Sequence, residues 1–125
     1  TLLGSGSNPT VTYSNQSGKY TKIGRLVTIN IYLSTSAYSG GSGNIRIGGL
    51  PFAAANENPE STGFIMGFRV NTAAEATPSI NAGESFAQIL ARAATDTSTG
   101  WGNASVGIWT AANPTIAKVC ITYET

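Results

Sequence analysis

The chain has 125 residues, the length of one domain that can bury a core of its own. Charged residues make up only 10% of it and the net charge is +1, whereas a typical soluble domain is about 25% charged. The seven basic residues are scattered, which argues against a nucleic-acid-binding stripe. Ser, Thr, Asn, Gly and Ala fill the deficit. This composition indicates an all-β protein with a polar, uncharged surface, or a surface covered by a partner chain.

Several kinds of chemistry are excluded by what the chain lacks. Cys120 is the only cysteine and there is no histidine, so neither an internal disulfide nor a histidine-based catalytic or metal site can form. No apolar run reaches the roughly 18 residues of a membrane-spanning helix. The sequence therefore predicts no cofactor, no metal and no membrane insertion.

The first part of the chain predicts short strands between turns. Residues 1–9 contain Gly, Ser, Asn and Pro and are typical of a flexible lead-in from a longer upstream protein, with one domain over residues 10–125. The strongest strand is 25–34, where Val27, Ile29, Ile31 and Leu33 alternate with polar residues. Further strands are predicted at 11–14 and 44–47, and turns at 15–18, 39–43 and 48–51.

The second part continues the same pattern. Residues 85–94 alternate and follow Gly83, which favours a strand, although their alanines leave a helix as the alternative. In the closing strand, Val119, Ile121 and Tyr123 share one face. Strands are predicted at 64–70, 85–94, 105–111 and 115–124, and loops or turns at 53–63, 71–78, 96–103 and 113–114. The whole predicts an antiparallel β-sandwich of jelly-roll or Greek-key type.

Two stretches carry a resemblance to a known family. Residues 18–27 read Gly-Lys-Tyr-Thr-Lys-Ile-Gly-Arg-Leu-Val, and residues 43–52 read Gly-Asn-Ile-Arg-Ile-Gly-Gly-Leu-Pro-Phe. Together they resemble the C-terminal β-sandwich domain of bacteriophage tail fibres and tailspikes. Physically these are folding motifs, because Gly24 permits a turn with positive φ and Leu50-Pro51-Phe52 would form a rigid apolar corner.

The resemblance implies a homotrimer at the distal end of a virion's tail fibre or tailspike. Such a domain promotes trimer assembly and, in some members, binds a host surface polysaccharide. A purely structural role and a role in assembly plus receptor binding are both compatible with the resemblance. The runner-up function is a monomeric carbohydrate-binding module of a secreted bacterial protein. Any catalytic activity would lie in an upstream domain, so we expect no enzyme here.

The candidate carbohydrate-binding residues are aromatic and polar residues of expected loops. Trp101 lies between two glycines, where its ring face can stack on the C–H face of a sugar while Asp96 and Asn103 bind hydroxyls. Trp101 packing on the core end or on a neighbouring chain is the alternative. Tyr38 is a weaker candidate beside the 39–43 turn.

Two acidic residues raise a different possibility. Glu57 and Glu60 share one loop, and paired carboxylates are what glycoside hydrolysis requires. Exposed loop carboxylates are more often simply solvated, and the loop lacks the ligand spacing of a Ca²⁺ site. We therefore predict neither a catalytic pair nor a metal site there. Cys120 alternates into the closing strand and is expected to be a small core or interface residue.

Overall fold

The computed structural model describes residues 1–57, 61–66, 73–93, 102–103 and 115–125. These residues are all-β, with 69% in strands and no helix, so they include no helix able to cross a membrane. Two antiparallel sheets contain the strands. Their bounds are β1 Leu2–Gly4, β2 Thr10–Ile23, β3 Leu26–Ser39, β4 Ile45–Gly48, β5 Thr62–Met66, β6 Ala73–Ser79, β7 Phe86–Ala93, β8 Gly102–Asn103 and β9 Thr115–Glu124.

The order of the strands defines two sheets with different edges. The five-stranded sheet runs β1-β4-β7-β6, with β8 also paired to β7, and the four-stranded sheet runs β2-β3-β9-β5. Strands β2 and β3 form a long hairpin in which Ile23 pairs with Leu26. Gly24 has a φ of 59° in the turn between them, a conformation that glycine adopts without steric cost. The predicted role of Gly24 is confirmed.

One hydrophobic core lies between the two sheets and draws side chains from both. The four-stranded sheet contributes Val27, Ile29, Leu33, Ala117, Val119, Ile121 and Tyr123, and the five-stranded sheet contributes Leu2, Ile45, Ile47, Ala87 and Ile89. All of these side chains are buried. The alternation predicted for β3 and β9 is therefore confirmed, and the arrangement is consistent with a β-sandwich.

The predicted turn at residues 15–18 is wrong, because β2 runs through it. The pairing of β2 with β3 shifts register between Thr12 and Tyr13 and again between Tyr13 and Asn15. The first shift leaves Ser36 of β3 as an extra residue, and the second leaves Ser14 of β2. The extra residue on β2 moves its inward positions by one, so the simple alternation that identifies a strand is lost there. The Ser14 hydroxyl donates to the Ser34 carbonyl at 3.2 Å and lies 2.8 Å from its hydroxyl, which satisfies polar groups at the irregularity.

The sheet also begins earlier than predicted. Residues 1–9, expected as a flexible lead-in, include β1, in which Leu2 is buried. The amide N–H of Leu2 donates to the Tyr13 hydroxyl at 2.7 Å. This bond ties β1 of one sheet to β2 of the other.

Two predicted loops contain strands. Residues 71–78 were expected as a loop, yet Pro78 pairs with Ile89 in β6. Proline is tolerated there because, among the strands that the structure describes, β6 lies at the end of its sheet and pairs on one side only. In the predicted loop 96–103, Gly102–Asn103 forms β8 beside β7. The β7 prediction itself is confirmed as a strand, not a helix.

Several of the remaining predictions concern residues that the structure does not describe. Strand β5 confirms the start of the 64–70 strand, while residues 67–70, 105–111 and 113–114 lie outside. Residues 94–101 and 104–114, between β7 and β9, are not described apart from β8, so the jelly-roll or Greek-key connectivity stays a prediction. The edges formed by β5 and β6 meet, with the Thr77 hydroxyl donating to the Gly63 carbonyl at 3.3 Å.

Gly63→Ala is expected to lower the free energy of unfolding more than Gly24→Ala. A Cβ on Gly63 would lie 2.6 Å from the Cys120 carbonyl oxygen and 2.9 Å from Pro78, an overpacking worth roughly 1–3 kcal/mol. A Cβ on Gly24 meets nothing within 4 Å. The loss of stability at this position therefore comes only from its positive φ and is about 1 kcal/mol. Urea denaturation of both variants measures the difference, and an equal or smaller loss at Gly63 would contradict the close edge.

Candidate functional site

The structure describes two of the four predicted carbohydrate-binding residues, Tyr38 and Asn103, and these two lie in different sheets. Asn103 pairs with Leu90 in the five-stranded sheet, whereas Tyr38 pairs with Val11 in the four-stranded sheet. Tyr38 lies in β3 and packs, half-buried, against the core, so it is not the loop residue that we expected. Trp101 and Asp96 lie outside the described residues, and their role stays a prediction.

A different set of side chains lies on the outer face of the four-stranded sheet, the face turned away from the core. Residues on this face alternate with the buried ones, and the register aligns them in rows across the strands. One row is Lys19, Asn30, Cys120 and Phe64, and the next includes Ser17, Tyr32 and Lys118. Residues far apart in sequence therefore become neighbours on one surface.

These two rows border a shallow groove of about 380 Å³. Phe64 is 54% exposed, an unusual state for a large aromatic side chain in a strand. The Lys118 ammonium nitrogen lies 5.7 Å from the centre of the Tyr32 ring. The groove is lined by Ser17, Lys19, Asn30, Ile31, Tyr32, Phe64, Lys118, Val119 and Cys120. It offers aromatic surface, two ammonium groups and neutral hydrogen-bonding groups in one place.

The charged side chains known to line this groove are all positive. Among the described residues, two of those that line it are lysines and none is a carboxylate. Lys19 and Lys118 lie on strands either side of β3, one row apart, so sheet geometry separates their Cα atoms by about 12 Å. Long, flexible lysine side chains span much of that distance. The groove is therefore suited to an anion or to a ligand that carries one.

Sequence reasoning missed this groove although it identified β3, β9 and the start of β5 as strands. Lys19 and Lys22 lie three residues apart on β2 and therefore do not share a face. Lys22 turns the other way, with its ammonium nitrogen 4.2 Å from the centre of the Phe52 ring. The outward positions of β3 and β9, Asn30, Tyr32 and Lys118, were the available signal. Only the pairing of the strands shows that these three positions are neighbours on one surface.

Cys120 lies on this outer face and is partly exposed. Its neighbours along the strand, Val119 and Ile121, point into the core. The expectation of a core position for Cys120 is therefore wrong, because alternation along β9 places it on the opposite side. An interface position stays a prediction.

The two motif blocks meet at one corner of the molecule. The rings of Tyr20 and Phe52 pack edge to face, with centroids 5.6 Å apart at 86°. The Tyr123 hydroxyl donates to the Phe52 carbonyl at 2.9 Å, and Leu50 is buried. Residues from the β2–β3 hairpin, from the segment after β4 and from β9 are thereby held together, which confirms the expected apolar corner.

The tip of the β2–β3 hairpin is apolar and uncovered. Ile23 is 76% exposed and its cross-strand partner Leu26 is 47% exposed. Directly paired aliphatic side chains at a hairpin tip form a continuous apolar surface. Such exposure is typical of a contact surface for another molecule.

The acidic loop does not form a site within the described residues. Glu57 lines a shallow hollow with Arg25, Asn56 and Thr125, and Glu60 lies outside the described residues. Across the described part of the chain, no group of three or more acidic, cysteine or histidine side chains is arranged to hold a metal ion.

Comparison with protein-family models, with curated proteins and with solved structures found no match to this chain. The two motif blocks and the surfaces described above are therefore the features of this chain that bear on its function.

Two tyrosines make the stability of the fold sensitive to alkaline pH. Burial raises the pKa of Tyr38, as does the nearby Tyr13, and burial raises the pKa of Tyr123 more than its bond to Phe52 lowers it. A phenol with a higher pKa in the folded state keeps its proton longer than in the unfolded state. The free energy of unfolding is therefore expected to fall as pH rises past the unfolded pKa of about 10.

Urea denaturation on either side of that pH measures this slope. A double variant, Tyr38→Phe with Tyr123→Phe, is the control, because other groups also titrate in this range. The double variant is expected to show a shallower decline than the wild type. An identical slope in both proteins would contradict the assignment of the decline to these two phenols.

Proposed function

We propose that this chain is the C-terminal trimerisation and host-receptor recognition domain of a bacteriophage tail fibre or tailspike. The observation that carries the proposal is the contact between Tyr20 and Phe52. Each ring belongs to one of the two motif blocks that resemble this family. Their direct packing supports the view that the blocks form one structural unit, as parts of a shared folding motif would.

Self-association is supported by the character of the exposed surface. The hairpin tip exposes Ile23 and Leu26, and only 10% of the chain is charged. Burying apolar surface of this kind against other copies is the main favourable contribution to association. We place the contact between copies at this tip, in a homotrimer whose copies follow one three-fold axis.

Strand β2 offers a second element for assembly. It lies at the edge of the four-stranded sheet and has no partner strand on its outer side among the described residues. An edge strand presents a row of unpaired N–H and C=O groups, which natural proteins usually protect. A neighbouring copy beside β2 would provide that protection in the assembled fibre.

Recognition of a host surface polysaccharide is the second half of the proposal. The groove on the outer face of the four-stranded sheet combines exposed aromatic surface with hydrogen-bonding groups. A shallow groove of this type binds one sugar segment weakly. Three copies on one axis raise the overall affinity by multivalency, which suits a virion that binds a repetitive surface.

The alternative function is a monomeric carbohydrate-binding module of a secreted bacterial protein. The groove described above would serve that function equally well, because it combines exposed aromatic surface with hydrogen-bonding side chains. Oligomeric state separates the two functions.

The mass in solution, measured by light scattering during size-exclusion chromatography, tests the proposal. We expect a mass near three times the 12.8 kDa of one chain. Replacing the hairpin tip with Ile23→Ser and Leu26→Ser is expected to shift the population toward single chains, because the apolar surface that drives association is removed.

Phe64→Ser is the matched control, because it removes a comparably exposed apolar side chain from another strand. It is expected to leave the mass unchanged. A wild-type protein that stays monomeric at all concentrations would overturn the trimer. A trimer that is weakened by Phe64→Ser and not by the tip variant would move the interface to the centre of the sheet.

A further inference from the structure

We infer that the groove on the outer face of the four-stranded sheet binds an acidic sugar, one whose carboxylate lies between Lys19 and Lys118. This inference deepens the proposed function and depends on it, since it names the class of glycan and the residues that would recognise it. The residues concerned differ from the loop residues that the sequence suggested.

The charge of the groove is the first argument. Lys19 and Lys118 line it, and within the part of the chain that the structure describes no carboxylate does. On the same face, Glu124 lies two rows away beside Leu26. Two ammonium groups without a local counter-charge repel each other, and an anionic ligand between them removes that repulsion.

The aromatic side chains are the second argument. Phe64 and Tyr32 lie on either side of Cys120 on neighbouring rows of the sheet. A bare inorganic anion would gain nothing from the exposed ring of Phe64. A pyranose ring has an apolar C–H face as well as polar edges, so it uses the ring and the lysines together.

The neutral polar groups are the third argument. Asn30 lies in the same row as Lys19 and is exposed, and Ser17 lies one row further along the same groove. An amide and a hydroxyl can each donate and accept hydrogen bonds, which matches the hydroxyls of a sugar. The groove thus contains a partner for each part of an acidic sugar.

Binding is tested with two acidic probes, a short oligogalacturonate and an oligomer of sialic acid, by isothermal titration calorimetry. The methyl ester of the oligogalacturonate is the matched neutral probe, because it keeps the sugar and removes the charge. We expect the acid to bind more tightly than its ester, and the difference to shrink as salt is added.

Three lysine variants locate the site. Lys19→Gln and Lys118→Gln are each expected to weaken binding of the acid roughly 1.5- to fivefold, the range for exposed ion pairs. Lys22→Gln is the control, because it makes the same change of charge on β2 but on the opposite face, beside Phe52. Thermal unfolding of each variant verifies that the fold is retained.

The cysteine supplies an independent readout of occupancy. Cys120 is the only cysteine in the chain and lines the groove. A bound acidic oligomer is expected to slow alkylation of Cys120 by iodoacetamide in the wild type. The protection is expected to be much weaker in the Lys19→Gln, Lys118→Gln double variant.

The outcomes separate this inference from the proposed function. Equal affinity for acid and ester, an effect of Lys22→Gln as large as that of Lys118→Gln, or no binding of either acidic probe would overturn the acidic-sugar site. A trimeric mass together with binding of a neutral polysaccharide would then leave the proposed function standing. A monomer that still binds the acid would overturn trimerisation and support the groove.

Discussion

The pairing of β3 on both of its sides is the constraint on which the rest of the structure depends. From Leu26 to Thr35, β3 pairs with β9 on one side and is paired with β2 along most of the other. Strict alternation then sends Val27, Ile29 and Leu33 into the core and leaves Asn30 and Tyr32 outside. The same backbone therefore determines both the core and the floor of the groove, so the two cannot change register independently.

The contacts between the two motif blocks and the groove lie on opposite faces of the strands that they share. On the inward side, Tyr20 and Lys22 contact Phe52 and attach the hairpin to the segment after β4. On the outward side, the same β2 strand presents Lys19 to solvent. Substitutions at outward positions such as Lys19 can therefore change the groove while the inward contacts with Phe52 stay the same.

The sequence predicted well those strands whose environment is uniform along their length. Strands β3, β7 and β9 have one buried and one outward face, so the alternation of apolar and polar residues in their sequences was sufficient to identify them as strands. The prediction divided β2 into a strand and a turn, because the register shift near Tyr13 changes which residues of β2 point inward. Strand β6 was missed because its edge position, which tolerates Pro78, could not be known beforehand. The groove escaped prediction because it depends on register between strands distant in sequence, which a single sequence does not encode locally.

The register shifts between β2 and β3 also bear on the open side of β2. One shift leaves Ser14 as an extra residue on β2, and the other leaves the extra residue on β3. A bulge displaces the hydrogen-bonding groups of a strand from a regular ladder, so the regular part of the β2 edge runs from Asn15 to Ile23. On the other side of the shift, Tyr13 is bonded to Leu2 of the other sheet. A regular edge of limited length gives less room for the open-ended addition of strands to which a long, weakly charged edge is prone.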